Sequence, residues 1–173
     1  YGDNADFAVS SVLCADTQNG RKMTPAAARY IRYLESLAPK TLDVMGDYVA
    51  DDVHFSDPFN DVHGIESMAG VFRHMFDNIK DIEFRIHRAA MDGNTCLMAW
   101  RFEGKLGGRQ WTFNGCSTVT FSSDGLVTDH VDYWDAAQNF YRRLPVIGWV
   151  ISRIKRRLAI HRRPDHRKRL PDT

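Results

Sequence analysis

No run of 18 apolar residues occurs in this 173-residue chain, so no stretch of it reads as a conventional membrane-spanning helix. Cysteine is scarce and odd in number. Cys14, Cys96 and Cys116 form no CxxC pair, which argues against a disulfide scaffold and fits a reducing compartment. Cys96 and Cys116 both fall in strand-like text and are expected as small buried residues. The glycines never form GxGxxG or GxxxxGK, which removes the usual cradles for dinucleotides and nucleoside triphosphates. There is no GxSxG elbow to seat a serine nucleophile. The seven histidines include no HExxH and no close pair at ligand spacing, so neither a metal nor a cofactor is expected.

What is present suits one packed domain. The apolar share is 43%, with four Trp, six Tyr and ten Phe, and the length leaves little room for a second core. Thr24 followed by Pro25 is a helix start, and Ala27, Tyr30, Ile31, Leu34 and Leu37 then recur at helical spacing. A second short helix is predicted from Thr41 to about Val49, with Leu42, Met45 and Val49 inward. After Gly64 a third helix carries Ile65, Met68, Ala69, Phe72 and Phe76 on its apolar side.

From Ile82 the period changes from helical to alternating. Ile82, Phe84 and Ile86 oppose charged neighbours, and Asp92-Gly93-Asn94 turns the chain. Cys96, Met98, Trp100 and Phe102 then share one side of the next strand. Residues 109 to 121 form a long strand in which Gly115 is expected to mark a bend or bulge, and Leu126 to Trp134 form the last. The reading is an α+β domain: a strongly curved, mainly antiparallel sheet wrapped as a cone over three N-terminal helices. The run ending at Asp57 is its outer strand, and the space between sheet and helices is the default pocket.

Charge is unevenly divided. Residues 1 to 141 hold 12 basic and 20 acidic residues, net −8, whereas residues 142 to 173 hold 11 basic and 2 acidic, net +9. Within that tail Ile147, Val150, Ile151, Ile154 and Leu158 fall on one helical face, with Arg153 and Arg156 opposite and Lys155 and Arg157 on the flanks. Trp149 sits near the polar boundary. A basic amphipathic C-terminal helix of this kind suits either a membrane interface with anionic lipid or packing on protein. No base-reading motif accompanies the charge, so nucleic acid is not an expected partner. The localisation expected is cytoplasmic, with peripheral association at the inner face of the membrane through Trp149, Arg153, Lys155, Arg156 and Arg157.

Asp57 stands out because it shares a side with Val53 and Phe55, where an apolar residue would be expected, and runs straight into Pro58. A buried carboxylate there would be a candidate proton-transfer group, whereas the simpler reading is a cap on the turn opened by Pro58 and Phe59. In the last strand His130, Asp132 and Trp134 share one side, and Val127, Asp129, Val131 and Tyr133 the other. The alternation does not decide which side faces the cavity.

Tyr30 within AARYI, Asp57 within YVADDVHFSDPF, and His63-Gly64 together resemble the ketosteroid isomerase branch of the SnoaL-like (nuclear transport factor 2-like) superfamily. The resemblance spans residues 24 to 135 and implies the cone fold, usually as a homodimer. By resemblance Asp57 would be the general base and Tyr30 the donor to a developing enolate oxygen, the chemistry known for ketosteroid isomerase. Ser117 falls where those isomerases carry a second, protonated aspartate, and a hydroxyl is the weaker donor. The polyketide cyclases and epoxide hydrolases of the superfamily draw their acid-base carboxylates from the sheet, a role open to Asp132 or to the His130 and Asp132 pair.

The catalytic candidates are therefore Asp57, Tyr30, Asp132 and His130, with Phe55, Phe72, Trp100, Ser117 and Trp134 lining a site for a small apolar ligand. The expected activity is acid-base proton transfer, of isomerase or cyclase type, on a small apolar carbonyl compound. The alternative is a ligand-binding or protein-interaction module of the same fold, membrane-associated through its tail. The expected organisation is a leader over 1–22, the SnoaL-like domain over 23–141, and the basic helix and tail over 142–173.

Overall fold

The computed structural model describes residues 22–141. Among the described residues, those up to Asp135 belong to one compact unit and those from Ala136 to a second, where they hold a short helix, Ala136–Asn139. The basic helix expected over 142–173, including Trp149, Arg153, Lys155, Arg156 and Arg157, lies outside the described residues, as does the leader. Among the described residues no helix is long and apolar enough to cross a membrane.

Helix α1 (Pro25–Glu35) begins where its residues dictate. The Thr24 hydroxyl accepts the Ala27 N–H at 3.2 Å and Pro25 supplies a preset φ, so the first turn closes without an orphan donor. Its buried stripe is Ala27, Tyr30, Ile31, Tyr33 and Leu34. The second helical segment departs from expectation in bounds and in kind. It is a 3-10 helix, Pro39–Asp47, whose three-residue repeat places Leu42 and Met45 together on the buried side. Pro39 starts it before Thr41, whose hydroxyl instead accepts the Ala38 N–H at 2.9 Å. Val49, expected to end that helix, opens a strand.

The sheet contains β1 (Val49–Ser56), β2 (Asp61–His63), β3 (Ile79–Asp92), β4 (Thr95–Leu106), β5 (Arg109–Phe121) and β6 (Val127–Tyr133), with helix α2 (Ile65–Asn78) between β2 and β3. The strand order is β2-β1-β6-β5-β4-β3, antiparallel throughout except for the parallel pair β1 and β6. The strand before Asp57 is therefore an inner one. The edge is the three-residue β2, too short to show an alternation in the sequence. Helix α2 packs on β1 and the 3-10 helix, and α1 packs on β3, so the helices cover one face of the sheet. Register shifts in the β3/β4, β1/β6 and β5/β6 ladders bend the sheet around them, as bulges do.

Gly115 has a different use from the bend expected of it. The ladder of β4 with β5 runs through it in unbroken register, and it stands opposite Trp100. A Cβ at this position would lie inside the Trp100 indole, so glycine is the residue that lets the ring lie flat across β5. Cys96 is buried as expected and its burial pushes the thiol pKa up to about 11, but Cys116 is exposed because it alternates onto the outer face.

Candidate active site

Burial settles the side of β6 that faces the helices. His130 is 2% exposed and Asp132 16%, and the flanking Asp129 and Tyr133 point to the opposite face. The inward residues of β4, β5 and β6 then meet in one row. Trp100, Ser117 and Asp132 lie on adjacent strands, with Ser117 the direct partner of Asp132. The Trp100 Nε1–H donates to Ser117 Oγ at 2.7 Å, and the Ser117 hydroxyl donates to Asp132 Oδ1 at 2.5 Å.

A second chain reaches the same oxygen from the helix side. Tyr30 Oη lies 2.8 Å from His130 Nδ1, and His130 Nε2 lies 3.0 Å from Asp132 Oδ1. The donor directions follow from chemistry. A carboxylate oxygen accepts, so the proton at the His130–Asp132 contact sits on Nε2, and Nδ1 is left to accept the Tyr30 hydroxyl. Burial, then the charge of Asp132, then Tyr33, hold the Tyr30 pKa well above the usual phenol value, so the phenol keeps the proton it offers. Both chains thus converge: Tyr30 through His130, and Trp100 through Ser117, each end on Oδ1. Asp132 Oδ2 takes no hydrogen bond among the described residues and is not sealed from solvent.

Such an arrangement immobilises a carboxylate. Tyr30, Ser117, Trp100 and His130 are all at most 2% exposed, so their rotamers are set by packing as well as by hydrogen bonds. Phe55 and Phe72 stand on the His130 side, with the Phe55 ring 5.3 Å from the imidazole and 5.4 Å from Phe72. On the Trp100 side, Phe113 and Trp134 lie 4.7 Å apart, and Trp134 reaches Phe59 of the Asp57 turn at 5.1 Å. Of the five residues expected to line a ligand site, Ser117 and Trp100 hold the carboxylate, Phe55 and Phe72 are buried in the core beside His130, and Trp134 packs with Phe113 and Phe59.

Asp57 and Tyr30, expected as base and oxyanion donor, bond to different partners. Asp57 closes the turn between β1 and β2, where its Oδ1 accepts the Phe59 N–H at 2.7 Å, the Asn60 N–H at 2.7 Å and the Asn60 side-chain amide at 3.0 Å. Its Oδ2 also takes the Asn60 amide, at 3.1 Å. The turn-capping reading accounts for every hydrogen bond Asp57 makes, and the Tyr30 proton is committed to His130 instead. Arg101 points away from the interior and pairs with Glu103 at 2.6 Å. A cavity of about 620 Å³ lies between the start of α1 and the turns after β3 and β5, lined by Thr24, Arg29, Met91, Asn94, Phe121 and Asp124; neither His130 nor Asp132 borders it.

A family model described as SnoaL-like domain matches residues 30–130, a span running from Tyr30 to His130. The chain belongs to the SnoaL-like family. Its fold is similar to that of an LEH-like epoxide hydrolase of M. tuberculosis, at 21% identity and TM-score 0.55, covering 75% of this chain and 89% of that one. It is similar also to a nuclear transport factor 2-like protein of unknown function from Burkholderia pseudomallei, at 17% identity and TM-score 0.61, covering 67% and 95%. A protein named as a SnoaL-like polyketide cyclase from Jannaschia sp. CCS1 aligns at 15% identity and TM-score 0.59, covering 67% and 92%. At these identities the likeness establishes the fold. No curated protein matches this SnoaL-like chain.

Proposed function

We propose that this SnoaL-like protein is a small-molecule enzyme in which Asp132 carries out acid-base proton transfer on a small, largely apolar carbonyl compound. The observation that carries this reading is the convergence of two hydrogen-bond chains on Asp132 Oδ1, with Oδ2 left unbonded. A general base needs one lone pair aimed at the proton it takes and an orientation that does not have to be found anew in each turnover. Ser117 and His130 meet the second need, and Oδ2 the first. In the step proposed, Oδ2 takes a proton from the carbon beside the carbonyl, the C–H electron pair becomes the C=C bond of an enolate as the C=O π pair moves onto oxygen, and the carboxyl returns the proton to that carbon or, where a β,γ double bond extends the enolate, to its far carbon as the carbonyl re-forms.

Asp132 replaces Asp57 as base in this reading because the Asp57 carboxylate is filled by its own turn. His130 and Tyr30 are positioning residues, since they act through Asp132. The fold is shared with an LEH-like epoxide hydrolase and with a protein named as a polyketide cyclase, which makes epoxides the second substrate class to test.

The test is deuterium wash-in from D2O into a panel of enolisable ketones, followed by NMR, together with epoxide turnover. Asp132→Asn should slow exchange about 100-fold or more, while Asp57→Asn should leave it within a few fold of wild type. An unchanged rate in Asp132→Asn, or a loss confined to Asp57→Asn, would sink the assignment. Binding of these compounds by the wild type with neither exchange nor turnover would favour a ligand carrier.

A further inference from the structure

On the opposite face of the sheet from Asp132, we propose a binding site for a divalent transition cation of the zinc class, formed by His54, Asp61 and His63 with Asp129 behind them. The site comes from strand geometry. Gly64 N–H bonds the Val53 carbonyl at 2.8 Å, which makes His54 and His63 a non-hydrogen-bonded antiparallel pair, the pairing in which side chains stand closest. Their rings lie 4.7 Å apart and nearly parallel, at 24°. Asp61 sits two residues before His63 on the same face of β2, and one donor atom from each of His54, Asp61 and His63 falls within 4.8 Å of the others. Rotation of the exposed His63 ring about its χ angles is the adjustment that draws these atoms to metal-ligand range.

The fourth residue distinguishes this set from a chance cluster. Asp129 is the ladder partner of His54 on β6, and its Oδ1 lies 2.7 Å from His54 Nδ1. Zinc-binding histidines donate the nitrogen remote from the metal to a carboxylate, which fixes the tautomer and turns the other lone pair to the cation. Asp129 does this here, and His54 Nε2 is thereby aimed at Asp61 Oδ1, 2.9 Å away. Hydrogen bonds to the carboxylates of Asp129 and then Asp61 raise the His54 pKa above the ordinary histidine value. Two imidazoles and one carboxylate suit Zn2+, with the remaining position open to water, and the two carboxylates of Asp61 and Asp129 balance the charge of the ion.

The site would stand at the edge of the sheet, on the strand next to the turn that Asp57 closes. It is independent of the proton-transfer chemistry proposed for Asp132.

Isothermal titration of chelator-treated full-length protein with Zn2+, and with Co2+ followed by its visible absorption, reads this site. Wild type should bind one equivalent that disappears in His63→Ala and in Asp61→Ala, both substitutions of exposed side chains, with circular dichroism confirming the fold. Asp129→Ala, which removes the supporting carboxylate and no ligand, should weaken binding about 10-fold or more. Absence of Zn2+ binding by the wild type overturns the proposal. So does an equivalent that survives both His63→Ala and Asp61→Ala, since the ion would then be held by other residues.

Discussion

The Tyr30 hydroxyl and His130 Nδ1 meet at 2.8 Å across 100 residues of chain, in a contact between the first helix and the last strand with both side chains at most 2% exposed. The bond sets the histidine tautomer and, through it, the aim of Asp132. It also ties α1 to the sheet at a point where an unpaired nitrogen would have no water to turn to.

Tyr30→Phe should therefore act on stability and on activity separately. Leaving the buried Nδ1 without its donor costs about 1–3 kcal/mol, read as a lower urea midpoint with an unchanged slope. If Asp132 is the base, the same variant should lower kcat more than it raises KM. A purely structural Tyr30 would shift the midpoint and leave the kinetics alone.

Gly115→Ala should disturb Trp100 without touching any charged group. The added methyl group overlaps the indole, and the ring has nowhere to go among Phe84 at 4.8 Å and Phe113 at 5.9 Å. Overpacking of this kind costs about 1–3 kcal/mol. Because the Trp100 Nε1–H holds Ser117, a change in tryptophan fluorescence should accompany the loss of stability.

Asp57→Ala should cost about 1 kcal/mol of stability by thermal or urea unfolding, since the turn loses acceptors for the Phe59 and Asn60 N–H groups. Activity that depends on Asp132 should persist. A variant with wild-type stability would contradict the capping role.

Alkaline pH tests the phenols. Burial raises the Tyr30 pKa well above its usual value, and burial, then Tyr48, push Tyr33 up to about 12. In the unfolded chain both ionise near pH ~10, so above that pH the unfolded state binds fewer protons and stability falls as pH rises. Below pH ~10 neither residue contributes to pH dependence. Ultraviolet titration should show the Tyr30 and Tyr33 phenols ionising only well above pH ~10, and Tyr30→Phe should flatten the alkaline decline in the unfolding midpoint. Ionisation of every tyrosine together near pH ~10 in the folded protein would contradict this.

Much of the fold was legible because each element carries its own signal. The Thr24 and Pro25 start and the five-residue stripe define α1, and strict alternation defines β4 and β5. The limits of legibility are also physical. Val49 fits both a helical spacing and a strand start, and three residues of β2 are too few to show a period. Gly115 reads as a breaker until the ring opposite it is known.

The site residues were nameable and their partnerships were not. Residue types and local periods place Tyr30 on a buried stripe, Asp57 beside a proline, and His130 and Asp132 on one side of β6. Which side faces inward depends on bulges in the β1/β6 and β5/β6 ladders, and a bulge shifts phase between strands that local alternation treats independently. Hydrogen bonds between Tyr30 and His130, or Trp100 and Ser117, and the row of Asp129, His54 and His63, are contacts between distant segments. The sequence alone determined the elements, the apolar faces and the inventory of ionisable groups, because those follow from local spacing. Only the tertiary structure decided that Asp57 caps a turn and that Asp132 receives two converging donor chains, because strand order and register bring those groups together.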